Sequence, residues 1–367
     1  EPRLASARRS PSIAWARGAD TPRALALGAA AGALAIEPDA VPGLCDGSQH
    51  APEALSEREV AGLTRPLDGA PDHVRADIPE WLWPSFVRAF GERAAEEGRA
   101  LAQRAPTDVR VNALKATREK VEKALRDFAA EPTPFSPLGV RIPPAKGPKR
   151  TPNLEAEAAF QAGWFEIQDE GSQLAALLAG AGPRLRVLDL CAGAGGKTLA
   201  MAGQMQNTGQ IFAYDEDRNR LKAIFERLKR AGVRNAQVLR AGDRAALEAL
   251  SPKFDLVLVD APCTGTGVWR RRPEAKWRLK AHSLASRRED QARVLETAAA
   301  QVKPGGRLVY ATCSLLPEEN TEQVAALLAA HPDLEVTPWR EAWAAGIGGE
   351  APRSANGSED MVLLSPG

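Results

Sequence analysis

Residues 186–198 read RVLDLCAGAGGKT, and this stretch decides the fold of the chain. The apolar run Arg186–Leu190 predicts a buried strand, and a glycine-rich turn leads from it into a helix. Later runs are also typical of strands, with helical patterns between them: Gln210–Tyr214, Ala236–Arg240, Phe254–Asp260 and Arg307–Thr312. Strands that alternate with helices predict right-handed βαβ units and a Rossmann-like, doubly wound, mostly parallel α/β sheet.

The chain before this repeat divides into two parts. Residues 78–155 mix helical patterns, such as Arg118–Phe128, with strand patterns such as Gly139–Ile142, which predicts a small α+β domain. Residues 1–77 predict an irregular, mainly helical segment, in which the apolar run Ala24–Ile36 reads as a buried helix. The predicted organisation is 1–77, 78–155 and 156–367, with late strands expected at Leu334–Thr337 and Met361–Leu364.

Composition sets the broad class of the protein. Of 367 residues, 44% are hydrophobic and 26% are charged, as in an ordinary soluble globular chain. The net charge of +1 means that any affinity for nucleic acid must come from local patches. No apolar run is long enough to span a bilayer, and four cysteines without a CxxC pair fit a reducing cytoplasm. Since Glu1 is not Met, we expect a trimmed or incomplete N-terminus.

The glycine-rich turn and the strand ends predict a nucleoside-cofactor site. Glycines let the backbone turn sharply and approach a ligand closely. Asp215, about 20 residues past the glycines, is suited to ribose hydroxyls, and Asp243 could bind an adenine amino group. Any one acid at a strand end could instead cap a helix. The candidate cofactor residues are Cys191, Ala192, Gly193, Ala194, Gly195, Gly196, Lys197, Asp215, Asp243 and Asp260.

A phosphate-binding P-loop is the competing interpretation of this turn. GGKT resembles the end of GxxxxGK[ST], and FDLVLVD resembles the magnesium-binding strand of such enzymes. The motif requires glycine six residues before Lys197, where this chain has Cys191. An NTPase therefore ranks below a nucleoside-cofactor enzyme, and we expect no metal.

Two thiols lie just past predicted strands: Cys263 follows FDLVLVD after Ala261 and Pro262, and Cys313 follows GRLVYAT. A thiolate can add to C6 of a pyrimidine, and this makes C5 nucleophilic enough to take a methyl group from S-adenosylmethionine. Asp260 is placed to hydrogen-bond the base at N3 and to offset the developing charge. A second cysteine could then help to resolve the adduct.

These residues resemble the RsmB/Nop/Sun group of RNA cytosine-5 methyltransferases. The resemblance spans roughly 185–325 and is carried by VLDLCAGAGGKT, AYDEDRNRL, AGDR, FDLVLVDAPCTGTGVWRRRPEAKW and GGRLVYATCSLLPEEN, with RVNALK and IQDEGSQ upstream. It implies a class I methyltransferase domain, an S-adenosylmethionine site, Cys313 as the nucleophile and Cys263 as the group that assists product release. DNA cytosine-5 methyltransferases use the cysteine of the PC motif instead.

The chain departs from the family pattern in three places. CAGAGGKT stands where CAAPGGKT is usual, so the loop loses a proline but keeps its glycines and Lys197. Glu274 replaces the usual Asp of RRRPEAKW. The family normally ends in a strand with a DGFF-like motif, and from the last residues before Gly367 we expect this strand to be missing or altered.

A basic run after Cys263 predicts the surface for RNA. The predicted contacts are Arg270, Arg271, Arg272, Lys276 and Trp277. Cations hold phosphates and aromatic rings stack on unpaired bases, with Trp269 interleaved in the run. Arg141, Lys146, Lys149 and Arg150 could extend this track, and the small α+β domain 78–155 is therefore predicted to bind RNA. A charge run is also compatible with a merely solvated face.

The sequence thus predicts a cytoplasmic, monomeric enzyme without a membrane partner that forms 5-methylcytidine in RNA. The expected substrate is 16S ribosomal RNA, with tRNA as the alternative. The other classes that stay open are a P-loop NTPase, a non-catalytic RNA-binding ribosome-assembly factor and a DNA methyltransferase.

Overall fold

The structure, a computed structural model, describes residues 10, 12–13, 16, 21–32, 36–145, 152–250 and 253–366. Over these residues the chain forms two sheets with helices packed around them. The predicted cations Lys146, Lys149 and Arg150 lie outside the described residues. In the part of the chain that is described, no helix has both the length and the apolar character that crossing a membrane requires.

Helices dominate the chain before the first sheet. They are α1 (Pro22–Gly32), α2 (Glu57–Leu63), α3 (Asp72–Arg75), α4 (Trp83–Phe90) and α5 (Ala94–Ala102), with 3₁₀ turns at Pro38–Ala40, Pro42–Leu44, Glu80–Leu82 and Gly91–Arg93. The predicted buried helix in the run 24–36 is confirmed as far as it is described, because Leu27 of α1 packs against Val41 and Cys45. Helix α4 ends where Gly91 adopts a φ of 57°, a conformation that glycine reaches without strain.

The first sheet is small and antiparallel. Its strands are β1 (Thr107–Val111), β2 (Glu131–Pro132), β3 (Gly139–Ile142) and β4 (Phe165–Ile167), in the order β2-β3-β1-β4. Helices α6 (Arg118–Ala124) and α7 (Ala158–Gln161) accompany it, with 3₁₀ turns at Arg126–Phe128 and Leu154–Ala156. Val109, Val140 and Phe165 form its core with Val121 of α6. Strand β4 lies beyond residue 155, and the predicted domain boundaries stay a prediction.

The second sheet is parallel throughout and confirms the predicted α/β fold. Its strands are β5 (Arg186–Asp189), β6 (Gln210–Ala213), β7 (Ala236–Val238), β8 (Phe254–Asp260) and β9 (Val302–Ala311), in the order β7-β6-β5-β8-β9. Its helices are α8 (Glu170–Leu178), α9 (Gly196–Gln204), α10 (Arg218–Leu221), α11 (Ile224–Ala231), α12 (Arg244–Glu248), α13 (Ala275–Arg278), α14 (Ala281–Gln301), α15 (Thr321–Ala330) and α16 (Trp339–Gly346), with 3₁₀ turns at Thr266–Val268 and Pro317–Glu319. The strand order reverses between β5 and β8, where ligands bind in such sheets.

Both faces of this sheet are covered. Leu188 and Val257 pack into a cluster on one face, whereas their neighbours Val187 and Leu256 pack into a cluster on the other. A strand buried on both faces needs apolar side chains at successive positions, which explains the continuous apolar runs in the sequence. The two clusters fix the carboxyl ends of β5 and β8 beside each other.

The two predicted late strands do not form, so this prediction was wrong. Residues 335–337 are exposed, and no strand among the described residues pairs with them. Residues 361–364 form no regular structure, and their side chains divide between two clusters, Leu363 against the N-terminal helices and Leu364 beside Trp339. The Leu363 N–H donates to Ser354 Oγ at 3.0 Å. The backbone N–H of Leu363 therefore has its hydrogen-bond partner in a loop and not in a neighbouring strand.

Candidate active site

The glycine-rich turn is held tightly between two helices. It links β5 to α9, and Gly195 occupies the N-cap of α9 with a φ of 81°. A Cβ built on Gly195 would lie 2.5 Å from Ile224 Cγ1 on α11. The position therefore accepts only glycine without strain or displacement.

Asp215 anchors the turn to the end of β6. The Gly193 N–H donates to Asp215 Oδ2 at 3.0 Å, and the Asp217 N–H donates to Oδ1 at 2.9 Å. Arg220 Nη1 lies 3.5 Å from the same carboxylate. The predicted cofactor acid is thus buried beside the glycine turn, and its contact with a ribose stays a prediction.

A cavity of about 330 Å³ opens beyond the carboxyl ends of the strands, a volume within the range of small-ligand sites. It is lined by Leu190, Cys191, Tyr214, Asp215, Glu216, Asp217, Arg220, Arg244, Leu247, Glu248, Pro262, Arg287, Asp290, Arg293, Val294 and Thr297. Cys191 and Asp215 therefore meet at this cavity. Asp243 is not among the lining residues; its Oδ1 accepts the Ala246 N–H at 3.0 Å and caps α12, and its contact with an adenine amino group stays a prediction.

Two groups under the turn have strongly shifted acidity. Burial raises the pKa of the Cys191 thiol far above its usual value, which keeps this cysteine protonated. Burial also raises the pKa of Asp189 to about 7, although Thr198 Oγ1 donates to its Oδ2 at 2.6 Å. Asp189 Oδ1 has no hydrogen-bond partner among the described residues.

Lys197 joins the glycine turn to β8. It lies in the first turn of α9, and its Nζ is 2.6 Å from Asp260 Oδ2. The same ammonium donates to Ser172 Oγ at 3.1 Å. Lys197, predicted as a cofactor residue, therefore lies on the Asp260 side of the site. Ser172 lies in the IQDEGSQ stretch and was not singled out from the sequence.

The two cysteines that follow β8 and β9 lie side by side. Cys263 Sγ and Cys313 Sγ are 3.2 Å apart, and Cys313 is exposed. A hydrogen bond from the Cys263 thiol lowers the pKa of Cys313, and the Lys197 ammonium acts in the same direction. The same hydrogen bond, followed by burial, raises the pKa of Cys263 well above its usual value. The more acidic and more accessible sulfur is thus that of Cys313, as a nucleophile requires.

The loops that carry these cysteines interlock. The Gly267 N–H donates to Cys313 O at 2.9 Å, and a Cβ on Gly267 would lie 2.8 Å from the same oxygen. Thr266 Oγ1 accepts the Leu315 N–H at 2.7 Å and lies 3.2 Å from Ser314 Oγ. The TGTG and CS motifs therefore serve to hold the two thiols together.

Several residues of the predicted RNA surface have structural contacts instead. Lys276 is buried, and its Nζ is 2.7 Å from Asp77 Oδ2. Trp269 has no exposed surface and stacks on Phe86 with ring centroids 5.8 Å apart. The reason is that the N-terminal helices cover this part of the run. Stacking of Trp269 on a base does not fit its burial.

The remaining members of the run differ in exposure. Arg270 Nη2 donates to Arg104 O at 3.1 Å, and Arg271 Nη2 donates to Asp169 Oδ2 at 2.7 Å. Trp277 is half-buried, with the Lys276 ammonium 4.6 Å from its ring centroid. Arg272 is exposed. A cationic surface for RNA stays a prediction, with Arg271 and Arg272 its exposed predicted members.

The RVNALK stretch joins the small sheet to the glycine turn. Arg110 Nη1 donates to Gly196 O at 2.8 Å and also contacts Gln168 Oε1. Asn112 Nδ2 donates to Ala231 O at 2.8 Å, and Lys115 Nζ donates to Arg230 O at 2.6 Å. These side chains were predicted only as part of an RNA-binding domain, and the structure shows that they dock it.

Comparisons with known families agree with this arrangement. Residues 177–360 match the family described as 16S rRNA methyltransferase RsmB/F, and residues 78–146 match the ferredoxin-like domain of RsmF/B-like methyltransferases. The solved structure of a methyltransferase homolog protein from Pyrococcus horikoshii superposes with a TM-score of 0.64 and 28% identity, over 80% of this chain and 92% of that chain.

Curated relatives point to the same family. A ribosomal RNA small subunit methyltransferase B from Klebsiella pneumoniae is 37% identical over 262 residues, covering 70% of this chain, and the chain spans 59% of that relative's length. The protein of the same name from Citrobacter koseri is 31% identical over 306 residues, which are 83% of this chain and 69% of the relative. The resemblance stated from the motifs is confirmed. The chain belongs to the RsmB/F family of 16S rRNA methyltransferases.

Proposed function

We propose that this protein is an S-adenosylmethionine-dependent methyltransferase that forms 5-methylcytidine in RNA through a covalent adduct on Cys313. The observation that carries the proposal is the 3.2 Å separation of Cys263 Sγ and Cys313 Sγ at the end of the parallel sheet. The ion pair between Lys197 and Asp260 lies beside them. Two thiols next to a carboxylate match the needs of addition to a pyrimidine ring.

The site suits the cofactor in its chemistry. The cavity combines an apolar wall at Leu190 and Pro262 with the carboxylate of Asp215, and a nucleoside needs both kinds of contact. The residues that would hold S-adenosylmethionine are the glycine turn Cys191–Lys197 and Asp215. When bound, S-adenosylmethionine supplies an electrophilic methyl group. Asp243 caps α12 through its Oδ1, and its predicted contact with the adenine amino group remains part of this proposal.

The chain's own residues account for the remaining steps. The Cys313 thiolate forms a bond to C6 of the cytosine, and the electrons of the C5–C6 double bond move into the ring towards N3. N3 carries no proton, so the Asp260 carboxyl must carry one in this step to donate a hydrogen bond to N3, and the Lys197 ammonium beside it offsets the charge that develops. Once C5 carried the methyl group, loss of the C5 proton to solvent would restore the C5–C6 double bond and expel Cys313 as a thiolate. Cys263, held as a thiol beside Cys313, assists this release.

The substrate proposed is 16S ribosomal RNA, because both curated relatives are named as small-subunit ribosomal RNA methyltransferases. Transfer RNA is the alternative. We also propose that the protein works as a monomer in the cytoplasm. The exposed Arg272 would contact phosphates.

The competing classes are less well supported. In a P-loop enzyme the lysine must reach phosphates, whereas Lys197 is committed to Asp260 and Ser172. A non-catalytic RNA-binding factor does not require two adjacent thiols with opposite shifts in pKa. A DNA methyltransferase would use Cys263, whose thiol is the harder one to ionise.

The decisive experiment combines cysteine variants with RNA. Wild-type protein, Cys313→Ala and Cys263→Ala are incubated with a protein-free 16S rRNA transcript or a tRNA transcript and S-adenosylmethionine, followed by bisulfite sequencing and denaturing gels. We expect methylation to vanish in Cys313→Ala and a denaturation-resistant RNA–protein band to accumulate in Cys263→Ala. Cys45→Ala, in the N-terminal cluster, is the matched control and retains methylation. Full methylation by Cys313→Ala refutes the proposal.

A further inference from the structure

A buried carboxylate supports the loop that carries Cys263. Glu319 ends the 3₁₀ turn after β9 and has no exposed surface. Its Oε1 accepts the Thr264 N–H at 2.8 Å, and its Oε2 accepts the Thr264 hydroxyl. The residue after Cys263 is therefore held through both its backbone and its side chain.

Gln291 of α14 holds the residue on the other side of Cys263. Its Nε2 donates to Pro262 O at 2.9 Å and to Glu319 Oε1 at 3.0 Å. Gln291 is fully buried. Pro262 and Thr264, the two neighbours of Cys263, are thus fixed by one network centred on Glu319.

The same turn also holds the Cys313 segment. Tyr310 OH, on β9, donates to Glu319 O at 2.7 Å. Asn320 Nδ2 donates to Ser314 O at 2.9 Å, and Asn320 Oδ1 accepts from Thr312 Oγ1 at 2.6 Å. Glu319 and Asn320 therefore hold Thr264 and both neighbours of Cys313, whereas Pro262 is held through Gln291.

We propose that Glu319 is a positioning residue that holds Cys263 at the distance from Cys313 where it can resolve the covalent adduct. This inference rests on the proposed function, since it presupposes that adduct. Thr264 offers two donors and Gln291 offers a third, and a carboxylate accepts all of them. A glutamine at 319 would keep the shape of the side chain but lose its charge, so the buried hydrogen bonds from Thr264 and Gln291 would no longer be charge-assisted.

The test compares Glu319→Gln with Glu318→Gln. Glu318 is adjacent in sequence but accepts from Ser85 Oγ at 2.5 Å and pairs with Arg88, away from the cysteines. With the 16S rRNA transcript and S-adenosylmethionine, we expect Glu319→Gln to resolve the adduct about tenfold more slowly than wild type, the effect of one lost charge-assisted hydrogen bond. Glu318→Gln resolves it at the wild-type rate.

A double variant separates positioning from general damage. In a Cys263→Ala background, adding Glu319→Gln should change the adduct lifetime by less than about twofold, because no thiol remains to be positioned. An equally large effect in that background overturns the inference, as does a wild-type lifetime in Glu319→Gln alone. If circular dichroism shows that Glu319→Gln does not fold, Thr264→Val is used instead, because it removes the hydroxyl that donates to Glu319 Oε2. The same results are expected of this variant. No adduct in Cys263→Ala itself overturns the proposed function and this role together.

Discussion

Replacing Gly195 by alanine should destabilise the protein and weaken its affinity for S-adenosylmethionine. Gly195 has a φ of 81°, in the left-handed region, where an alanine costs about 1–2 kcal/mol. The added Cβ would lie 2.5 Å from Ile224 Cγ1 and 2.9 Å from Ile224 Cδ1. The contact cannot be relieved cheaply, since Ile224 is fully buried and β-branched side chains are stiff in helices.

The expected magnitude is the sum of two terms. Overpacking of a filled core costs about 1–3 kcal/mol. Added to the backbone strain, this gives a loss of about 2–5 kcal/mol in the free energy of unfolding. If the turn shifted to relieve the clash with Ile224, Gly193 would move away from Asp215. The affinity for S-adenosylmethionine should therefore fall along with the stability.

Gly203→Ala is the matched control in the same helix. Gly203 lies inside α9, and a Cβ there meets no atom within 4 Å. Alanine is the better helix former, so this variant should gain about 0.5–1 kcal/mol. The two substitutions add the same methyl group and should move stability in opposite directions.

The measurements are urea denaturation, with unfolding followed by circular dichroism, and calorimetric titration with S-adenosylmethionine. The reasoning is refuted if Gly195→Ala loses less than about 0.5 kcal/mol, the range of an ordinary surface substitution. It is also refuted if the two alanine variants are equally stable.

Three further predictions use other parts of the site. The pKa of Asp189 is raised to about 7 in the folded protein and is near 3.8 in a free chain, so between these values the native state keeps the Asp189 proton and the unfolded chain loses it. The free energy of unfolding should therefore rise as the pH falls from 7 to 4. Relative to Asp189→Asn, we expect a gain of up to about 4 kcal/mol, measured by urea denaturation at each pH. Cys263→Ala removes the donor that lowers the pKa of Cys313, so the pH midpoint of Cys313 alkylation by iodoacetamide, followed by mass spectrometry, should move upward; an unchanged or lower midpoint contradicts this. Lys276→Met leaves Asp77 without its cation in a mostly buried pair, so the free energy of unfolding, measured by denaturant titration, should fall by about 3–5 kcal/mol. A loss below about 1 kcal/mol would contradict this structural role of Lys276 and favour its predicted contact with RNA.

The parallel sheet and the two cysteines could be predicted from the sequence because their signals are local. A strand buried on both faces requires an unbroken apolar run. The predicted strand FDLVLVD and the observed strand β8 both span Phe254–Asp260. The parallel arrangement then brings the carboxyl ends of β8 and β9 together. Residues that directly follow two such strands, as Cys263 and Cys313 nearly do, are neighbours in space.

The cationic run could not be interpreted in the same way. Whether Lys276 and Trp269 reach solvent depends on Asp77 and Phe86, which lie almost 200 residues earlier in the chain. No local pattern shows that the N-terminal helices fold back over this segment. The same holds for Glu319, because its partners on the Cys263 loop and α14 are brought to it only by the sheet.

The non-local contacts explain why the small sheet and the glycine turn form a single working unit. The carbonyl of Gly196 accepts from Arg110 of β1, and the carbonyl of Ala194 accepts from Arg227 of α11 at 2.8 Å. Glu166 of β4 pairs with Arg227 at 3.0 Å and so fixes the second arginine. Burial lowers the pKa of Arg110 only to about 10, so this guanidinium stays charged at neutral pH. The glycine turn is therefore held by Arg110 from the small sheet and by Arg227 from a helix that packs on the parallel sheet.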